Sequence, residues 1–136
     1  MRIMLDANVL FSAIHLPKSI IANIVDYIKA NHTIVLCEYI VNETLFAFSD
    51  KFHNHREKML NLNTYFIDLT FESHILRELE HSEYPNIRDI KDLPVLIAAI
   101  ESGVDILITG DLDFDDVKID KPRIMKPRQF QDEYMK

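Results

Sequence analysis

The sequence predicts a three-layer α/β/α sandwich around a central, mostly parallel sheet of four to five strands. Three observations lead there. Short apolar runs without polar alternation recur at residues 2–5, 33–37 and 106–108, as expected of strands buried on both faces. Stretches with helical spacing separate them, so strand and helix alternate along the chain. Two of the apolar runs end abruptly in acids, at Asp6 and at Asp111. Open parallel sheets do their chemistry just beyond the carboxyl ends of their strands.

The first strand, 2–5, exits into Asp6-Ala7-Asn8, and residues 9–14 read as a short helix or turn that Pro17 breaks. Residues 18–30 form a helix, with Ile20, Ile21, Ile24, Val25 and Ile28 at helical spacing and Ser19 as its N-cap. The second strand, 33–37, leads into a helix over about 38–52. Glu43 lies there among Ile40, Phe46 and Ala47, a pattern that turns its carboxylate inward and demands a partner. A short helix over 56–63 and a third strand over 65–68 follow, then a helix over 71–82 that Pro85 stops in a Tyr84-Pro85-Asn86 loop.

Residues 87–103 hold the most apolar helix. Pro94 suits its first turn, Gly103 its stop, and Asp92 its start, where a cap and a metal ligand are equally natural. The strand at 106–108 opens into Thr109-Gly110 and four acids within six residues: Asp111, Asp113, Asp115 and Asp116. A last strand at 122–125 precedes a short helix beginning near Pro127.

With 136 residues, 48% of them apolar, the chain is expected to be one domain, 1–136, with a sizeable core. No apolar run reaches the ~20 residues of a membrane span, and residues 1–5 are too short for a signal peptide. Cys37 is alone, so no internal disulfide forms; a cytoplasmic location without membrane contact is expected. The net charge of −7 is uneven. Residues 1–116 hold nine basic and nineteen acidic side chains, whereas residues 117–136 hold six and three. So acidic a body binds nucleic acid poorly unless divalent ions offset it. The basic tail, from Lys118 through Lys126 to Arg128, either touches phosphate or balances the body.

Right-handed crossovers carry the strand exits to one edge of the sheet. Asp6, Glu43, Asp92 and Asp111 then converge from four separate elements. Carboxylates so gathered repel unless a cation or proton joins them, and their hard oxygens suit Mg²⁺ or Mn²⁺. Other carboxylate readings fail on spacing. An EF-hand loop beginning at Asp111 would need Gly at 116 and Glu at 122, where Asp116 and Pro122 stand. An aspartyl-phosphate phosphatase would want a second acid at Asn8. With only Gly103 and Gly110 in the chain there is no phosphate-cradling glycine loop. His53 and His55, two apart on a helix, do not face one another and make no zinc pair; His15, His32, His74 and His81 are scattered singly.

The set Met4-Leu5-Asp6-Ala7-Asn8-Val9-Leu10, Glu43, Arg88-Asp89-Ile90-Lys91-Asp92-Leu93-Pro94 and Ile108-Thr109-Gly110-Asp111-Leu112-Asp113-Phe114 resembles the PIN-domain family. Within it the chain is similar to toxin components of toxin–antitoxin pairs related to the VapC-like ribonucleases. The closing Ile124-Met125-Lys126-Pro127-Arg128-Gln129-Phe130 also fits, so the resemblance covers nearly the whole chain. It implies that Asp6, Glu43, Asp92 and Asp111 are the catalytic acids and metal ligands, with Asp113 a further ligand and Asn8 and Thr109 in support. Glu38 is the rival for the Glu43 position, but an acid at a helix start is favoured by the dipole anyway. Ala7 stands where many members have Thr, a hydroxyl that is not a ligand.

The function implied is Mg²⁺- or Mn²⁺-dependent cleavage of RNA, with an antitoxin protein as partner and a homodimer as a further option. Lys18, Arg88, Lys91 and Arg128 are the candidate RNA contacts. Phe46, Phe48 and Phe52 are either core or a dimer face. Two other classes compete: a PIN-like module that binds protein or RNA without turnover, and a metal-dependent DNA nuclease.

Overall fold

The computed structural model describes residues 1–76 and 85–136. Five strands form one sheet: β1 (Arg2–Leu5), β2 (Thr33–Cys37), β3 (Glu72–His74), β4 (Ile106–Ile108) and β5 (Arg123–Met125). Their order is β3-β2-β1-β4-β5, and every pairing is parallel. Around them lie α1 (Ala7–His15), α2 (Ile20–Asn31), α3 (Glu38–Phe52), α4 (Arg56–Asp68), α5 (Leu93–Ser102) and α6 (Pro127–Tyr134). Ile3, Met4 and Leu5 are all fully buried, as are Ile106, Leu107 and Ile108 to within 1%. Successive strand residues point to opposite faces, so the sheet is covered on both sides. The predicted α/β/α sandwich is thus the observed architecture, with five strands, all parallel, among the described residues.

Local signals explain most boundaries. Ser19 accepts from the Ala22 amide at 3.1 Å and starts α2. Gly103 closes α5 in the left-handed region at φ 68°, where a side chain would be strained. The central β1–β4 pair sets the site: the Asp6 amide donates to the Ile108 carbonyl at 2.9 Å, and the Thr109 amide donates to the Met125 carbonyl at 3.0 Å. Both strand exits are thereby locked side by side.

Three expected elements differ. Residues 65–68 end α4 rather than forming a strand. Tyr65 and Ile67 would share one face of a strand, but Tyr65 packs on the core while Ile67 is 81% exposed. Leu62, Tyr65, Phe66 and Leu69 instead make a stripe at helical spacing. The helix expected over 71–82 is replaced at Glu72–His74 by the edge strand β3, whose backbone pairs with β2. Residues 77–82 of that expectation, with His81 and Tyr84, lie outside the described residues. Of residues 87–103 the helix takes only Leu93–Ser102, with Asp92 before its start, Pro94 in its first turn and Gly103 at its stop as expected, and a single 3₁₀ turn at Ile90–Asp92 precedes it. Among the described residues, no single helix is long and apolar enough to cross a membrane.

Candidate metal centre

Asp6 follows β1 directly and caps α1. Its Oδ1 accepts from the Ala7 amide at 2.8 Å and its Oδ2 from the Thr109 hydroxyl at 2.7 Å. Thr109 is fully buried, and its hydroxyl oxygen in turn accepts from the Asp111 amide at 3.0 Å. One hydroxyl therefore ties the acid leaving β1 to the acid leaving β4. The Asp111 Oδ1 accepts from the Asp113 amide at 2.9 Å and shapes the 3₁₀ turn Leu112–Phe114. Phe114 points into the core, only 2% exposed, which fixes the acids on either side of it. Asn8 contributes a lighter tie, accepting from the Gly110 amide at 3.2 Å.

The other acids come from helices. The expectation that Glu43 faces the core is corrected: Thr44, Ile40 and Phe48 do so, and Thr44 returns its hydroxyl to the Ile40 carbonyl. Glu43 is half-buried at the rim, and its neighbours Phe46 and Ala47 are exposed. Asp92 precedes α5 without capping it, since its side chain accepts no amide there. The cap reading is thus not realised. Its Oδ2 is buried with no donor. What faces it are the carboxylates of Asp111 and Asp113, which pair with it only when a proton or cation is shared.

The electrostatics follow. Burial raises the Asp92 carboxyl to about 7, and the nearby Asp111, Asp113 and Asp6 add to the rise. Burial also raises Asp6, against the lowering effect of its Thr109 and Ala7 hydrogen bonds. Glu43 is raised by burial first and then by Asp6 and Asp111. Asp6, Glu43, Asp92 and Asp111 therefore share one electrostatic centre at the carboxyl edge of the sheet. Carboxylate oxygens of Asp89, Asp92 and Asp113 lie within 4.8 Å of one another, close enough to share one cation. A buried acceptor without a donor, facing further carboxylates, is the donor set a hard divalent ion takes. These residues fit a hard divalent cation.

Three neighbours were not singled out for this centre from sequence. Asp89 joins the oxygen cluster while accepting from the Lys91 amide at 3.0 Å; only its place two or three residues before an acid-bearing helix start hinted at it. Tyr39 donates to the Lys91 carbonyl at 2.7 Å and so pins the Asp92 turn to α3, which carries Glu43. Burial and Glu43 push its hydroxyl up to about 12, so it stays a donor. Lys126 donates to the Asp111 carbonyl at 2.9 Å and pairs with Asp115 at 2.9 Å.

Of the candidate RNA contacts, Arg88 pairs with Asp116 at 2.6 Å and stands 4.0 Å from Asp113. Lys91 is exposed on the 3₁₀ turn, Arg128 is exposed on α6, and Lys18 is exposed in the loop after α1. The three phenylalanines separate: Phe48 is fully buried, Phe52 packs on it partly buried, and Phe46 is 75% exposed. His55 accepts from the Lys58 amide and His53 bonds the Ser49 carbonyl, and neither joins the cluster of metal-competent side chains found among the described residues.

Comparison with known proteins agrees with this geometry. A family model described as a PIN domain matches residues 2–113. No curated protein matches significantly. A solved chain from Rickettsia felis, from a crystal structure of VapBC2 bound to a DNA fragment from their promoter, superposes with a TM-score of 0.67. It covers 93% of this chain and 98% of its own, at 19% identity, a likeness of fold. With a domain match spanning all but the last strand and helix, the chain belongs to the PIN-domain family.

Proposed function

We propose that this chain is a Mg²⁺- or Mn²⁺-dependent endoribonuclease and the toxin component of a toxin–antitoxin pair. The observation that carries the reading is the buried Asp92 oxygen facing other carboxylates with no donor. Four elements deliver acids to that point, at a cost the fold bears only if something positive belongs there. Asp6, Glu43, Asp92 and Asp111 would hold the ion, with Asp113 and Asp89 beside them. When bound, such an ion supplies Lewis acidity, offsetting phosphate charge and favouring deprotonation of water near neutral pH.

The chain's own residues do the positioning. Thr109 holds Asp6 and Asp111 at a fixed separation, and Tyr39 keeps the Asp92 turn against α3. Asn8 steadies the loop at Gly110. Phosphate contacts fall to basic groups at the rim, with Arg88 and Lys126 nearest the acids and Lys18, Lys91 and Arg128 further candidates. An antitoxin partner is carried over from the two-component VapBC2 neighbour and from the acidic cleft, which a basic side chain would complement. A single domain over 1–136 and a cytoplasmic setting belong to the same reading.

The test is cleavage of single-stranded RNA with Mn²⁺ by wild type and Asp92→Asn, alongside DNA of the same sequence. RNA cleavage lost in the variant supports the proposal. Equal cleavage by both proteins, or cleavage of DNA alone, refutes it. If wild type binds Mn²⁺ nowhere near neutral pH, a non-catalytic binding module becomes the better account.

A further inference from the structure

A groove of about 650 Å³ opens beside the acids, between α1 and α3. Glu43 and Asn8 stand at its inner end and so belong to both the groove and the metal centre. Phe46 lies one turn beyond Glu43 on α3, about 5–6 Å away at Cβ, and is 75% exposed. Phe11 lines the facing side of the groove from α1. At the outer end, the Lys51 ammonium lies 5.8 Å from the Phe11 ring centre and 5.5 Å from that of Phe52. Asp50 is also there, so the outer end is of mixed charge.

We infer that this groove is a base-stacking subsite, in which Phe46 receives an unpaired nucleobase next to the scissile phosphate of single-stranded RNA. The inference rests on the ribonuclease reading and names where its substrate lies. A phosphate placed beside the cation that Asp6, Glu43 and Asp92 would hold leaves its neighbouring base within reach of the next turn of α3. Phe46 presents an open ring face at that distance, and a base stacks on such a face whatever its sequence. Lys51 then offers a cation to the following phosphate. The remaining rim is of the same kind. Ile90 and Leu112, 63% and 61% exposed, flank the Asp89–Asp92 and Asp111–Asp113 pairs, so apolar surface borders the acids where bases would splay.

The experiment uses the full chain with fluorescently labelled single-stranded RNA 12-mers of mixed sequence and Mn²⁺. Phe46→Ala, an exposed change that leaves the core intact, is compared with Phe46→Trp and Phe46→Leu. Phe46→Ala is expected to raise KM by about 5- to 150-fold with kcat little changed, the size of one lost stacked base. Phe46→Trp should match or better wild type, and Phe46→Leu should stay close to the alanine variant. A 2-aminopurine probe in the non-cutting Asp6→Asn background should be quenched with Phe46 present and not with Ala.

An unchanged KM in Phe46→Ala overturns the subsite. So does full rescue by Phe46→Leu, which marks a plain apolar face for a protein partner. A change in sedimentation in Phe46→Ala overturns it too, since the groove then belongs to a second copy of the chain. Wild type that binds RNA without cutting sinks the ribonuclease reading while the binding ratio still judges the groove. Wild type that does neither sinks both.

Discussion

On the strand side of the cleft, Asp6, Thr109 and Asp111 form a closed set of hydrogen bonds; on the helix side, Asp92 and Glu43 do not. Each Asp6 oxygen has a donor, and the Thr109 hydroxyl serves both exits. Asp92 instead faces Asp111 and Asp113 with a bare oxygen. The difference has a physical origin. Strand exits are fixed by ladder bonds on both sides, so donors can be placed for the acids that follow. A helix start reached through a 3₁₀ turn has no such neighbours, and its acid waits for a ligand. The strand side is therefore scaffold, and the helix side is where ion binding changes the energy most.

The sharpest way to break this comparison is a pair of amide substitutions. Asp6→Asn and Asp92→Asn should each cost about a thousandfold or more in RNA cleavage, the scale of several kcal/mol at a metal centre. Their effects on the metal-free fold should differ in sign. At pH 8, where Asp92 is ionised, Asp92→Asn removes repulsion and should raise Tm, whereas Asp6→Asn can keep only one of two accepted hydrogen bonds and should lower Tm through a loss of about 1–3 kcal/mol of stability. Calorimetry showing both shifts in one direction would erase the distinction.

Thr109→Val tests the scaffold alone. It leaves the buried Asp6 Oδ2 without its donor and the half-buried Asp111 amide without its acceptor. A loss of about 2–4 kcal/mol in urea unfolding is expected, with activity down roughly 10- to 100-fold through misplaced acids. Thr109→Ser should recover most of both, because the hydroxyl rather than the methyl does the bonding.

The helix side is sharpened by pH. Asp92, raised to about 7, holds its proton more tightly folded than unfolded, and Asp6 and Glu43 are raised too. The Asp92 contribution is fully present below about pH 4 and lost as pH rises through about 7, and those of Asp6 and Glu43 are lost in the same direction. Without metal, Tm should fall between pH 5 and 8, by about 3–8 °C for a screened loss of ~1–2 kcal/mol. Mn²⁺ should restore it at pH 8 and do little at pH 5. A metal-free Tm that rises over this range would contradict the account.

The same contrast explains what could be read in advance. Asp6 and Asp111 were legible because a buried strand ending in an acid is a short, local pattern. Asp92 was legible as a position but not as a cap or ligand, since that turns on whether its oxygens find amides. Glu43 was placed on the right helix with the wrong orientation. The apolar run around it suggested a core face, yet Thr44 is the buried polar residue and Phe46 is open to solvent. Residues 65–68 carry β-forming types, and only their register with Leu62 and Leu69 reveals a helix. The strand Glu72–His74 has no apolar signal, because this edge strand is held by its backbone pairing with β2 and by polar side chains, Glu72 on Arg2 and His74 on Glu101. Tyr39 reached the site through a contact 52 residues away, which no local pattern encodes.

The smallest expected effect separates competition for the acids from contact with substrate. Arg88 is exposed, bonded to Asp116 at 2.6 Å and 4.0 Å from Asp113. Ion pairs so exposed stabilise folds little, so Arg88→Gln should leave Tm nearly unchanged. Its positive charge does sit beside an acid of the cluster, and it opposes an incoming cation. Mn²⁺ affinity in titration calorimetry should therefore rise about three- to fivefold in Arg88→Gln at low salt. The gain should fade at high ionic strength as the charge is screened. If Arg88 also holds RNA phosphate, KM for RNA rises in the same variant while Mn²⁺ binds more tightly. A Mn²⁺ affinity unmoved at low salt would mean that Asp113 takes no part in holding the ion, leaving the helix side of the centre to Asp92 and Glu43.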